Sequence, residues 1–161
     1  MALVIQCAWR CRLAWMVKLD ILSIKNVRVL KVSSFKHLND PLKCLDFRHD
    51  TIWMSEDKEL AEMRVEFPKK QAVDAIYFLT TTYSSAPKFV SVGVVLDKKS
   101  RRFDTIATDV RIPFRRGYHW FKIEFPPKVS KYYHIRFTGN HGDDEGIAIR
   151  EVRFIRARES E

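Results

Sequence analysis

A chain of 161 residues fits a single domain able to bury about two-thirds of the surface that its unfolded form exposes. With 46% hydrophobic and 30% charged residues the composition excludes global disorder. The formal net charge of +9 permits an anionic partner without choosing among nucleic acid, membrane and an acidic protein surface.

The opening MALVIQCAWRCRLAWM has an apolar run too short to span a bilayer, and its charges, Arg10 and Arg12, follow that run. No secretory signal is expected. Residues 1–15 read as a flexible extension or an upstream start, 16–156 as the domain and 157–161 as a tail. Cys7, Cys11 and Cys44 form no Cys-x-x-Cys pair and have no histidine at zinc-finger spacing, which points to a reducing compartment and no structural metal.

From Val17 onward come nine strand-length runs rich in β-branched and aromatic residues: LDILSI, VRVLKVSS, AEMRVEF, AVDAIYFLTTTY, KFVSVGVVL, FDTIATDV, HWFKIEF, YYHIRFTG and IAIREVRFI. Turn residues separate them, including Asn39-Asp40-Pro41, Phe67-Pro68, Pro126-Pro127 and the stretch 139–146. Such spacing without a helical period predicts an all-β fold, a jelly-roll β-sandwich. Period-two alternation places Trp53, Val65, Phe67, Ile76, Phe78, Phe125, Ile135, Phe137, Val152 and Phe154 in the core. A short helical turn is expected at 41–47, with Leu42, Leu45 and Phe47 facing inward.

An enzyme needs a nucleophile with a base, paired carboxylates or a ligand cluster, and the best material is His141 near Asp143, Asp144 and Glu145. The three acids lack the alternating ligand order of an EF-hand, and no phosphate-binding glycine motif occurs. The reading is therefore no catalysis, no cofactor and no metal. His119 and His134 sit among strand aromatics as packing residues. Basic residues are dispersed, and alternation explains FRRGYHWFKIEF as a sandwich strand, so neither nucleic acid nor membrane is expected as a partner.

Trp53-Met54-Ser55, Val65-Glu66-Phe67 and Ile149-Arg150-Glu151-Val152-Arg153-Phe154 resemble elements of the galactose-binding-like, or discoidin-type, jelly rolls. A closer resemblance is to the DOC domain, the small substrate-recognition subunit of the anaphase-promoting complex, or cyclosome. Ser33-Ser34-Phe35-Lys36 is similar to the family's Ser-Ser-Cys-Lys, and Asp50-Thr51-Ile52-Trp53-Met54-Ser55 to its Glu-Thr-Tyr-Trp-Gln-Ser. Phe67-Pro68-Lys69-Lys70, Gly117-Tyr118, Asn140-His141 and Ile149-Arg150-Glu151-Val152 continue the match, which spans about 27–154. Gly142 and Gly146 depart from the family loop, where glutamine and aspartate stand, and the chain lacks the family's Ile-Arg ending.

The resemblance implies a non-catalytic degron co-receptor found in nucleus and cytoplasm. Its partners would be the complex's scaffold subunits, a WD40 co-activator and destruction-box substrates. Ser33, Ser34, Ser55, Asn140, His141, Asp143, Asp144 and Arg150 would form the degron-binding end, with Arg150 ordering the loop or pairing with Asp143 or Asp144. The alternative is a carbohydrate- or glycan-binding module of the same fold, with Tyr83, Trp120 and His141 as nearest candidates.

Overall fold

The structure, a computed structural model, describes residues 3–7, 27–81, 83–100 and 102–157. Its elements are β1 Leu3–Cys7, β2 Arg28–Val32, a 3-10 turn Pro41–Cys44, β3 Trp53–Met54, β4 Leu60–Thr80, β5 Pro87–Val95, β6 Asp104–Arg111, β7 Trp120–Asn140 and β8 Ala148–Arg156. The expected run at 19–24 and the tail from 158 lie outside the described residues.

Two strands of 21 residues, β4 and β7, pair antiparallel along their whole length and organise the rest. The first half of β4 has β2 on its other side, while its second half has β8. β7 carries β5 beside its second half and β1 beside its first. β3 extends the β8 side and β6 the β5 side. Between these halves the β4–β7 register slips, at Glu66/Gln71 and again at Val73/Ala75. Pro68 lies in the first slip, and Pro126-Pro127 lie opposite the second. Proline donates no ladder hydrogen bond, so it is tolerated where pairing is already interrupted. The sequence reading takes these prolines as ends of separate strands, whereas each marks a bend in a continuous one.

The bend lays the two halves face to face. Phe137, paired with Ala61 in the first half, meets Phe78 of the second half with ring centroids 5.5 Å apart. Phe67 at the corner packs edge-on against Tyr133 and Phe154. One core cluster therefore draws on both halves, and all ten residues expected in the core are buried. Alternation in β7 holds as read: Phe121, Ile123 and Phe125 enter the core, while Lys122 and Glu124 face outward as an ion pair.

Three features differ from the sequence reading. Leu3–Cys7 is a strand paired with Trp120–Glu124 of β7, so this part of the expected free extension joins the sheet. At the 3-10 turn Pro41, Cys44 and Leu45 are buried, while Leu42 and Phe47 are exposed, because three residues per turn select a different face from a helical period. Glu151 and Arg153, on the face of β8 opposite its core residues Val152 and Phe154, are also covered: Glu151 is fully buried and Arg153 nearly so. Arg153 bonds Glu151 and lies over both Phe47 and Trp120, each with its guanidinium carbon 4.8 Å from the ring centroid. His49 Nε2 reaches the other Glu151 oxygen at 3.0 Å. Trp120 is consequently buried, in a second cluster with Ala75, Tyr77, Leu79 and Ile155.

On the outer face of the first half, His134 is 6% exposed, and burial pushes its pKa down to about 4 from an ordinary value near 6.5. The unfolded imidazole takes up a proton near 6.5 and the folded one only near 4, so protonation favours the unfolded chain in that window. Stability should be full above that upper value, fall as pH drops toward the lower one, and lose nothing further from this group below it. Denaturant titrations across the range should show a shallower acid loss for His134→Gln than for the parent. Parallel slopes would show that other groups carry the acid sensitivity.

Candidate functional site

The register brings five connections to one end of the sandwich. In the first half β2 ends at Val32, β4 begins at Leu60, β5 begins at Pro87 opposite Asn140, and β6 ends at Arg111 opposite Phe89. In the second half β4 ends at Thr80, β7 begins at Trp120 and β8 begins at Ala148 opposite Met54. The connections 33–52, 55–59, 112–119 and 141–147, with the one holding 83–86, therefore share an end, opposite the bends.

The connection 141–147 is held by Asn140. Its side-chain Nδ2 donates to the carbonyls of Asp143 at 2.7 Å and Gly146 at 2.8 Å, and its Oδ1 accepts from the amides of Gly142 and Asp143, both at 3.1 Å. An amide offers two donors and two lone pairs, and all four are used. Asn140 is buried and shapes the loop; it has no group left over for a ligand.

Ser55 forms the second anchor. Its amide donates to the Ile147 carbonyl and its Oγ accepts from the Ile147 amide, each at 2.9 Å. The backbones meet here so closely that a Cβ on Gly146 would lie 2.1 Å from the Ser55 carbonyl oxygen, and Gly146 has φ +126°. The departure from the family loop at Gly146 thus has a steric cause in this chain.

Further ties radiate from the loop. The His141 amide donates to the Ser84 carbonyl at 2.7 Å, and its Nε2 lies 3.2 Å from the Ile112 carbonyl. Burial lowers the His141 pKa, and its ring packs 5.2 Å from that of Phe114. Asp144 pairs with Lys58 at 2.9 Å, and this hydrogen bond lowers its pKa. Glu145 pairs with Lys36, and Asp143 accepts from the Glu145 amide at 2.7 Å and from Ser84 Oγ at 3.4 Å. Among the described residues no group of three or more His, Cys, Asp or Glu side chains is placed to hold a metal.

Ser33 and Ser34 lie at the rim, where Ser33 Oγ accepts from the Glu62 amide at 3.0 Å and Ser34 Oγ from the Glu56 amide at 3.1 Å. The Ser34 carbonyl accepts from the Trp53 indole at 3.3 Å. Arg150 is the exception to the expected arrangement. It pairs with neither Asp143 nor Asp144; Nη1 donates to the His49 carbonyl at 2.6 Å and the guanidinium carbon lies 4.4 Å over the Tyr118 ring. Its strand position aims it at the 45–50 connection, while Lys58 and Lys36 take the loop acids. Of the candidates for a sugar platform, Trp120 is buried, whereas Tyr83 is 65% exposed. Phe114 and Tyr118, also exposed, join it on the connections of this end; the sequence reading placed both in the alternating run FRRGYHWFKIEF and Tyr118 among the resemblance anchors, but offered neither as an aromatic face for a sugar. The strand begins only at Trp120, so residues 114–119 belong to the connection before it.

No family model matches the chain, and no curated protein matches it. Solved structures do. The CBM32-1 and CBM32-2 domains of Clostridium perfringens ZmpB align at a TM-score of 0.80 and 15% identity over 97% of this chain, which spans 41% of that one. CpGH89CBM32-5 from the same organism, in complex with GalNAc-β-1,3-galactose, aligns at 0.70 and 12% identity over 84% of this chain and 99% of its own. Chitosan-binding module 1 of a Paenibacillus chitosanase/glucanase aligns at 0.66 and 17% over 80% and 94%. The fold is the galactose-binding-like jelly roll.

Replacing Gly146 by alanine forces a methyl group against the Ser55 carbonyl in a backbone conformation that side chains disfavour. Gly146→Ala should destabilise the chain by at least about 2 kcal/mol in denaturant unfolding. An unchanged midpoint would mean that the 141–147 connection is free to move away from Ser55.

Proposed function

We propose that the chain is a non-catalytic recognition module that takes its ligand on the loop end, and that it serves as a substrate-recognition, degron co-receptor subunit of the anaphase-promoting complex. The observation that carries this reading is convergence. Four of the DOC-like anchors, Ser33-Ser34, Trp53-Met54-Ser55, Gly117-Tyr118 and Asn140-His141, are scattered along the sequence yet lie on or beside the connections of one end, while Phe67-Pro68-Lys69-Lys70 lies at the bend opposite. Asn140 and Ser55 hold that surface in shape, and its exposed groups, among them Tyr83, Phe114, Asp144 and the rim of His141, are left for the ligand. A preformed, mainly backbone-tied rim suits an extended peptide, for which one weak contact suffices when a co-activator shares the same degron.

The solved neighbours speak for a second reading, a carbohydrate-binding module, and offer nothing specific for the first. Exposed Tyr83, Phe114 and Tyr118 supply the aromatic faces that a sugar would stack on.

Because Asn140→Ala would collapse the loop, the test uses exposed residues. In anaphase-promoting complex reconstituted with this chain, a destruction-box substrate should be modified processively, and Tyr83→Ala/Phe114→Ala/Asp144→Lys should lower processivity about tenfold with assembly intact. Undiminished modification by that variant would overturn the degron role of this end. Specific, competable binding on a glycan array, lost in the same variant, would establish the carbohydrate reading instead.

A further inference from the structure

The outer face of the first half carries a cleft of about 80 Å³ that reaches the loop end at Ser33. On the same measure a single water needs about 10–15 Å³, so the space admits a larger polar group. Its walls come from three adjacent strands in direct register. Lys31 of β2 stands opposite Arg64 of β4, Arg64 opposite His134 of β7, and Glu62 of β4 opposite Arg136 of β7. Three cations thus face one carboxylate, and that carboxylate is already bonded by Arg136 Nε at 2.6 Å.

The lid is built in. Gly93 stands opposite His134 in the β5–β7 register, and a Cβ there would lie 2.4 Å from the Phe103 ring. The missing side chain lets Phe103 lie over His134 with centroids 4.0 Å apart, and Arg136 covers the same ring at 5.1 Å. Arg64 is held in place by Nη1 donating to the Ser100 carbonyl at 2.6 Å.

Yet the enclosed polar groups are not satisfied by one another. Arg64 Nε and both ring nitrogens of His134 are buried without a hydrogen-bond partner among the described residues, and the nearest approach, His134 Nε2 to Glu62 Oε1, is 3.5 Å. Buried arginine and histidine nitrogens are ordinarily paired, and unpaired ones with a net positive wall call for an acceptor carrying negative charge.

We propose that this cleft binds an oxyanion of the phosphate class, through Lys31, Arg64 and Arg136 with His134 as a further donor. The group arrives either as free inorganic phosphate or on a phosphorylated side chain of a bound protein. The site meets the loop end only at Ser33, its charged groups lie on the outer strands, and it does not depend on which ligand that end takes.

Titration of the full chain with inorganic phosphate, and in a second arm with a phosphoserine peptide, would be followed by the His134 ring resonances in NMR. Saturable movement of those resonances is expected in at least one arm, while the His141 ring stays unmoved. The arm that saturates at lower concentration identifies the source. Lys31 is exposed, so Lys31→Glu leaves the fold intact and should weaken binding by about tenfold or more. Failure of the His134 ring to respond in both arms, or equal affinity in Lys31→Glu, would overturn the proposal.

Discussion

The paired length of β4 and β7 is the constraint on which the rest depends. Two strands of 21 residues cannot remain straight in a domain of this size, and the register slips near Pro68 and Pro126 let them fold over. Folding over sets Phe78 against Phe137 and Phe67 against Phe154, which closes the core. The same turn returns both ends of β4 to one side of the molecule. Among the described residues the connections between the halves then emerge there, so a single topological event creates both the core and the candidate surface.

What that surface offers follows from how its polar groups are used. Asn140 spends all its hydrogen-bonding capacity on the loop, and Ser55 is committed to Ile147. These residues convert a glycine-rich turn into a fixed shape, and the exposed aromatic and acidic groups are displayed on it. Recognition by such a surface rests on preorganisation more than on many contacts, since little ordering remains to be done when a ligand arrives. The buried Glu151–Arg153 pair, covered by Phe47 and Trp120, performs a comparable service below, fixing the 45–50 connection against β8.

Period-two alternation made the core legible, because each strand has one inner face and the ten expected residues point into it. Prolines were legible as interruptions but not as bends, since the same residue ends a strand or tolerates a break in its ladder according to what lies opposite. The charges of β8 show a related limit: alternation reports which side a residue faces, not whether a loop covers that side. At the loop end, motif resemblance singled out Asn140, Ser55 and Tyr118, whereas the exposed Phe114 and Tyr118 were read into an alternating run that begins only at Trp120. Arg150 was assigned to the wrong neighbour because the reach of its strand toward His49 depends on tertiary packing.

The central claim is that the connections at one end form the recognition surface. Amide hydrogen exchange tests it most directly, comparing the free chain with the chain saturated by a destruction-box peptide and co-activator, or by any glycan that binds it saturably. Slowed exchange should be confined to 33–36, 55–59, 83–86, 112–119 and 141–147. Protection along the outer ladders of β2–β4 or β5–β6, with those connections exchanging as in the free chain, would contradict the account.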